Sequence, residues 1–249
     1  FTMNGNIFAR GGTADTDSCD TTSKGVFGVN GKGGVVNITY KNLSITLNGV
    51  IAASPGRLGS CLGSLYQPSE IYAKKFFVAA GKNISIAGLI NASNITIEGA
   101  LGPQRGNESN LTLNADILNL SSSGTIAATG VNLVTNDFLI APKGGTVRLN
   151  APIFYFDGNI SVDGGNHVGT SSSGSGGDGG TVELNTTTEF TMNGNIFARG
   201  GTADTDTCSA ISGQRGKGGV VNITTLGAMN IMIDASPSYT GRCFNAIYS

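Results

Sequence analysis

Apolar and polar residues alternate through most of this chain in runs of five to nine, and helical spacing is absent. An extended strand points successive side chains to opposite faces, so such runs predict strands with one buried and one wet face. Two kinds of run recur. The first follows a Gly-Gly pair or its equivalent and is filled by Val36/Ile38, Leu111/Leu113, Val147/Leu149, Val182/Leu184 and Val221/Ile223. The second has the form apolar-x-apolar-x-Gly-x-Ile-x-Ala/Val. In it Phe154, Phe156, Gly158, Ile160 and Val162 align with Phe190, Met192, Gly194, Ile196 and Ala198, and with Ile45, Leu47, Gly49, Ile51 and Ala53. Ile84, Ile86, Gly88, Ile90 and Ala92 align more loosely.

From Leu111 onward the first strands lie 36, 35 and 39 residues apart. The intervening polar positions Asn37, Thr112, Arg148, Glu183 and Asn222 fall in one outward column if successive units stack in register. This is the pattern of an all-β parallel β-helix, a solenoid whose coils gain a core only from the neighbours above and below. Strands need about 20 residues per coil, so each unit leaves a long corner loop or a reduced second coil, and the spacing does not choose between them. Gly164 to Gly180 predicts a flexible loop, whereas Val131 to Pro142 and Asn94 to Gly102 hold enough apolar residues to add strands.

A longer period overlies the short one. Phe1 to Asp20 returns at Phe190 to Ser209 with only Ser18→Thr207 and Asp20→Ser209 changed, and Gly31 to Thr39 returns at Gly216 to Thr224. The copies are 189 and then 185 residues apart. Residues 1–249 therefore predict a single continuous β-helix that is a window of a longer array, with 1–39 matching 190–224.

Composition narrows the class further. The 39 glycines are roughly 16% of residues against a usual ~7%, while there are only 6 prolines. Charged residues make up 12%, and 15 Lys+Arg balance 16 Asp+Glu, leaving no basic footprint for nucleic acid. So weakly charged a surface needs another source of hydration. Eleven N-x-Ser/Thr sequons offer one in N-linked glycans, at Asn37, Asn42, Asn83, Asn91, Asn94, Asn107, Asn110, Asn119, Asn159, Asn185 and Asn222. Cys19 and Cys208 occupy matching positions in the two copies, and Cys61 and Cys243 each follow an Ala-Ser-Pro tripeptide. Disulfides Cys19–Cys61 and Cys208–Cys243 are expected. With the sequons they imply an extracellular location, secreted or on a cell-surface appendage. No apolar run is long enough for a membrane span.

Asn110 to Gly130 (NLTLNADILNLSSSGTIAATG) resembles the coils of filamentous-haemagglutinin-like adhesins, and that resemblance implies a right-handed β-helix. The paired cysteines and sequons depart from this bacterial pattern. In them the chain resembles eukaryotic extracellular β-helices, and among these the glycoproteins of flagellar hairs, the mastigonemes. In outline it also resembles the pectin-lyase-like enzymes, pectate lyases and polygalacturonases, whose chemistry needs clustered carboxylates beside Lys or Arg. Here Arg148 and Glu183 stand side by side without a second acid. Asp157 and Asp163 share a coil whose successor carries Asn193 and Arg199, and His167, the one histidine, lies in the glycine-rich stretch. The repeated Asp15/Asp17 and Asp204/Asp206 pairs are too few oxygen ligands for calcium without backbone help.

No catalytic or metal site and no cofactor is expected, apart from covalent glycans. The expected function is a structural repeat segment of an extracellular filament or stalk, continuing into further repeats or stacking on copies of itself head to tail. The alternatives are an adhesin that binds a cell surface or glycan and, third, a polysaccharide lyase or hydrolase.

Overall fold

The computed structural model describes residues 1–11, 32, 34–53, 67–103, 109–134, 140–168, 174–203, 215–225 and 232–238. Among them every regular element is a strand, and neighbouring strands pair in parallel. The strands fall into eight tiers. The first holds β1 (Thr2–Met3) and β2 (Ile7–Phe8), and the second β3 (Ile38–Leu47) and β4 (Ile51–Ala52). The third and fourth hold β5 (Pro68–Val78), β6 (Asn83–Ser85), β7 (Ala87–Ile97) and β8 (Ala100–Leu101). The fifth holds β9 (Asn110–Leu120), β10 (Thr125–Ala127) and β11 (Leu133–Val134). In the sixth the long strand is broken, giving β12 (Thr146–Asn150), β13 (Ile153–Phe156), β14 (Asn159–Ser161) and β15 (His167–Val168). The seventh repeats that break as β16 (Thr181–Asn185), β17 (Glu189–Met192) and β18 (Asn195–Phe197), and the eighth holds β19 (Val220–Thr224) and β20 (Met232–Asp234).

A long wall runs β1-β3-β5-β7-β9-β12-β16-β19, with β13 and β17 continuing from β9 beyond the break. A short wall runs β2-β4-β6-β8-β10-β14-β18-β20, and β11 pairs with β15 in a third. Each tier thus lands one position further along both main walls, an arrangement consistent with a β-solenoid.

Register turns the alternation of the sequence into stacked columns. Ile38, Ile71, Ile90, Leu113, Leu149, Leu184 and Ile223 form one inward column of the long wall. Ile45, Phe76, Ile95, Leu118, Phe154 and Phe190 form another. On the short wall Ile7 stacks under Ile51, Ile84 and Leu101, and Ile126, Ile160, Ile196 and Ile233 continue the column. Members of the third to seventh tiers are fully or almost fully buried, whereas Ile38 in the second tier is partly buried and Ile233 in the eighth is 44% exposed. Val147, Val182 and Val221 share one ladder, as the spacing requires.

One alignment from the sequence is overturned. Ile84 belongs to the short wall beside Ile51, but Ile90 belongs to the long wall beside Leu113, so Ile84 to Ala92 straddles two tiers. The third and fourth tiers have no corner loop between them, and Ile90 sits on Ile71 after only 19 residues. A period-2 pattern is identical on both walls, which lets an alignment slip from one to the other.

Where the corner loops occur, they leave and re-enter at one place. Gly145, Gly180 and Gly219 donate to the carbonyls of Ala128, Val162 and Ala198 at 2.6–2.7 Å, bridging the points where the chain leaves and rejoins the two main walls. The expectation of a flexible loop over Gly164 to Gly180 is corrected at both described flanks. Gly177 donates to the Gly165 carbonyl, Gly201 to Gly177 and Gly216 to Gly201, at 2.7–3.0 Å. These backbones approach so closely that a Cβ on Gly201 would lie 1.9 Å from the Gly165 oxygen. Here glycine serves packing and not freedom.

The long repeat is also a structural repeat. Ile7 pairs with Ile51 as Ile196 pairs with Ile233, and Ile38 and Ile223 lie in one column. Tiers one and two therefore recur as tiers seven and eight, an offset of six tiers.

A local exception interrupts the apolar lining. Ser69 is fully buried, and its hydroxyl accepts the Val36 N–H at 3.0 Å, while the neighbouring Gly88 has φ +116° and its Cβ would lie 2.1 Å from the Ser69 carbonyl oxygen. Gly88→Ala is expected to cost at least about 2 kcal/mol through strain and clash. In a denaturant titration it should match or exceed Ser69→Ala, which removes one hydrogen bond at about 1–3 kcal/mol.

Candidate functional site

The chemistry of the outer surface is set by polar ladders that follow from the register. Asn91, Asn114, Asn150 and Asn185 occupy one column of the long wall. The Asn185 amide donates to Asn150 at 2.8 Å, and Asn150 donates to Asn114 at 2.9 Å. The column stands at the corner where the long strand breaks at Ala151 and Pro152. Proline supplies no N–H there, and its carbonyl instead accepts from the Thr188 and Glu189 amides and the Thr186 hydroxyl. Asn91, Ser93, Asn114, Asp116 and Asn150 line an open groove of about 220 Å³ along this corner.

A second family of polar contacts crosses the tiers at corners. Side-chain oxygens of Asn6, Asn37, Asn132, Asn166, Asp163 and Asp178 accept backbone N–H groups of Val50, Glu70, Asn166, Thr202, Arg199 and Lys217, all one tier on, at 2.8–3.0 Å. The signal in the sequence was an Asn or Asp recurring near each corner, but the varying loop length hides its period.

The glycan acceptors lie on these walls. Asn37, Asn83, Asn91, Asn110, Asn185 and Asn222 are exposed, whereas Asn94, Asn119 and Asn159 are half-buried. Asn185 and Asn159 belong to ladders, with Asn159 accepting from Asn195 at 2.9 Å. Asn42 lies within β3 and its side chain is outside the described residues, as is Asn107 altogether. Cys19, Cys61, Cys208 and Cys243 also lie outside the described residues, as do Asp15, Asp17, Asp204 and Asp206.

Charge is spent on pairs between neighbouring tiers. Arg148 and Glu183 are in register and form a two-pronged ion pair, with Nη2 to Oε1 at 3.1 Å. The hydrogen bond from Arg148, aided by its charge, holds the Glu183 carboxyl below its ordinary value and raises the guanidinium. Arg199 binds Asp163 at 2.8 Å while stacking 4.8 Å over the Phe197 ring. Asp157 accepts from Asn193 at 3.0 Å.

The outward column of Arg148 also contains Glu70 and Leu89, which sequence spacing omitted because the third and fourth tiers are short. Glu70 and Glu183 stand four strands apart, roughly 19 Å at the usual strand spacing. His167 is buried on the third wall opposite Leu133, with Gly174 against its ring. Among the described residues no three His, Cys, Asp or Glu side chains converge as metal ligands, and no helix is long and apolar enough to cross a membrane.

Comparison with known families adds no assignment: no family model matches the chain, and no curated protein matches it.

Two outcomes follow from the ladders and pairs. Asn150→Ala removes one donated and one accepted bond and should lower stability by about 1–2 kcal/mol, with Asn150→Asp less well tolerated at neutral pH than at pH 3. Glu183 is depressed in the folded state, so its contribution is present above the unfolded carboxylate value near ~4.3 and fades as pH falls through the folded value. Being exposed, the pair should contribute no more than about 1 kcal/mol, read as the difference between wild type and Glu183→Gln at pH 7, shrinking towards pH 2.

Proposed function

We propose that the chain is a structural repeat segment of a secreted, N-glycosylated extracellular filament or stalk, built as a right-handed parallel β-helix whose tiers stack into a stiff rod. The observation that supports this most directly is the inward column from Ile7 to Ile233, which keeps register along the short wall through all eight tiers. Parallel strands bond along the stacking axis, so an axial load falls on many backbone hydrogen bonds per tier. The asparagine ladders and inter-tier ion pairs add side-chain bonds in the same direction.

Among the described residues, the distribution of acids favours this reading over an enzyme. Two carboxylates that share glycosidic chemistry stand about 5–10 Å apart, whereas Glu70 and Glu183 are separated by three intervening strands and Asp157 and Asp163 are engaged by the next tier. Glycans on the exposed sequons would supply the hydration that a chain with only 12% charged residues lacks. Successive repeats join by continuation of the polypeptide or by head-to-tail stacking, the open heterologous contact that yields fibres.

Expression of residues 1–249 through a eukaryotic secretory pathway tests the reading. Glycopeptide mass spectrometry should find glycans on the exposed Asn91, Asn110 and Asn222 at higher occupancy than on half-buried Asn94 and Asn119, and disulfides Cys19–Cys61 and Cys208–Cys243. Bare asparagine at every sequon, or a Cys19–Cys208 link, would contradict it. Small-angle scattering should give an elongated particle, and a spherical one would count against the rod.

A further inference from the structure

We propose that the outward face of the first tier is a docking surface for a tier with the sequence of Ile153–Asp163, so that long repeats join through the same interface that binds the sixth tier to the seventh. This rests on the stacked-rod reading above and specifies its joint. Phe1 to Gly11 is identical in sequence to Phe190 to Gly200. The structure therefore shows the same eleven residues in two settings, once with a tier beneath them and once without.

In the seventh tier the segment holds the sixth through three side-chain donors. Asn193 donates to Asp157 at 3.0 Å, Asn195 to Asn159 at 2.9 Å, and the Arg199 guanidinium to Asp163 at 2.8 and 3.2 Å. The Asn193 and Asn195 backbone amides donate to the carbonyls of Phe156 and Gly158 at 2.8 and 3.0 Å. Phe190 packs 5.7 Å from Phe154, Met192 registers with Phe156, and Ile196 registers with Ile160.

The first tier presents the same groups ready for the same contact. Asn4 and Asn6 already use their side-chain oxygens towards the second tier, accepting from the Asn48 amide and the Val50 N–H. Arg10 stacks 4.5 Å over Phe8, as Arg199 does over Phe197, but among the described residues it meets no carboxylate. Phe1 is 60% exposed where Phe190 is 6% exposed. A Cβ on Gly194 would lie 2.1 Å from the Gly158 oxygen, whereas one on Gly5 would meet nothing within 4 Å. Gly5 thus leaves open the space that a close backbone approach from below requires.

The occupant is fixed by its acceptors: an Asp, an Asn and an Asp at the spacing of Asp157, Asn159 and Asp163, beside Phe154, Phe156 and Ile160. The eighth tier does not carry this row, since Met232 stands in the column of Asn159 and Asn195. The joint therefore follows the six-tier offset that separates the two copies of the segment.

The test extends the full chain by placing residues 1–189 before Phe1, so that Glu189 precedes Phe1 as it precedes Phe190. Met3→Leu in the joint copy, and in the unextended control, gives its peptides a distinct mass for hydrogen-exchange measurement. Exchange across residues 1–8 is expected to slow at least about tenfold on extension, approaching that of 190–197, and Arg10→Ala should reverse part of the gain only in the extended chain. Unchanged exchange in that segment overturns the joint, whether or not the added tiers are protected. The stacked-rod reading is judged separately, by scattering from the unextended chain, so the two failures are distinguishable.

Discussion

Parallel strands can exchange backbone hydrogen bonds across a wall only when each lies about 4.8 Å from the next and in register with it. That constraint places every inward side chain directly above its counterpart in the preceding tier. A tier has no core of its own, so its apolar residues are buried by like residues above and below. Ile, Leu, Val and Phe fill the columns because they stack on themselves without leaving a polar atom unpaired, and Ser69 enters one only by accepting the Val36 N–H. The same register aligns the outward residues, which is why asparagine can bond to asparagine and arginine to glutamate from tier to tier.

Glycine makes the irregular part of each tier compatible with the regular part. A corner loop that left the stack freely would open a gap between tiers. Instead the outgoing and returning segments at residues 164–165, 177–180, 200–201 and 216–219 bond to one another at separations that no side chain could occupy. Loops of different length are therefore inserted without disturbing the ladder, and a tier that follows 19 residues after its neighbour stacks as well as one that follows after 36.

Much of this was legible in the sequence because strand alternation and register share one period. The strands at Leu111, Val147, Val182 and Val221, their common column and the pairing of Arg148 with Glu183 all follow from spacing. The third and fourth tiers were not legible. With no corner loop between them they depart from the 35-to-39-residue spacing, and the two walls carry the same apolar pattern, so Ile84 to Ala92 matched the wrong wall. Glu70 and Leu89 were missed in the outward column for that reason. The glycine-rich stretch misled in another way: composition cannot distinguish glycine that frees a loop from glycine that lets two backbones touch. Sequons mark candidate acceptors equally, and only the walls separate exposed Asn91 from half-buried Asn119.

The central claim is that sequence separation is converted into axial distance one tier at a time. Spin labels paired between Asn37 and, in turn, Thr112, Arg148, Glu183 and Asn222 measure it directly by dipolar spectroscopy. The account predicts backbone separations that rise by about 4.8 Å per tier, from roughly 14 Å to roughly 29 Å across the series. Distances that fail to increase in that order, or that scatter without a common step, would contradict it.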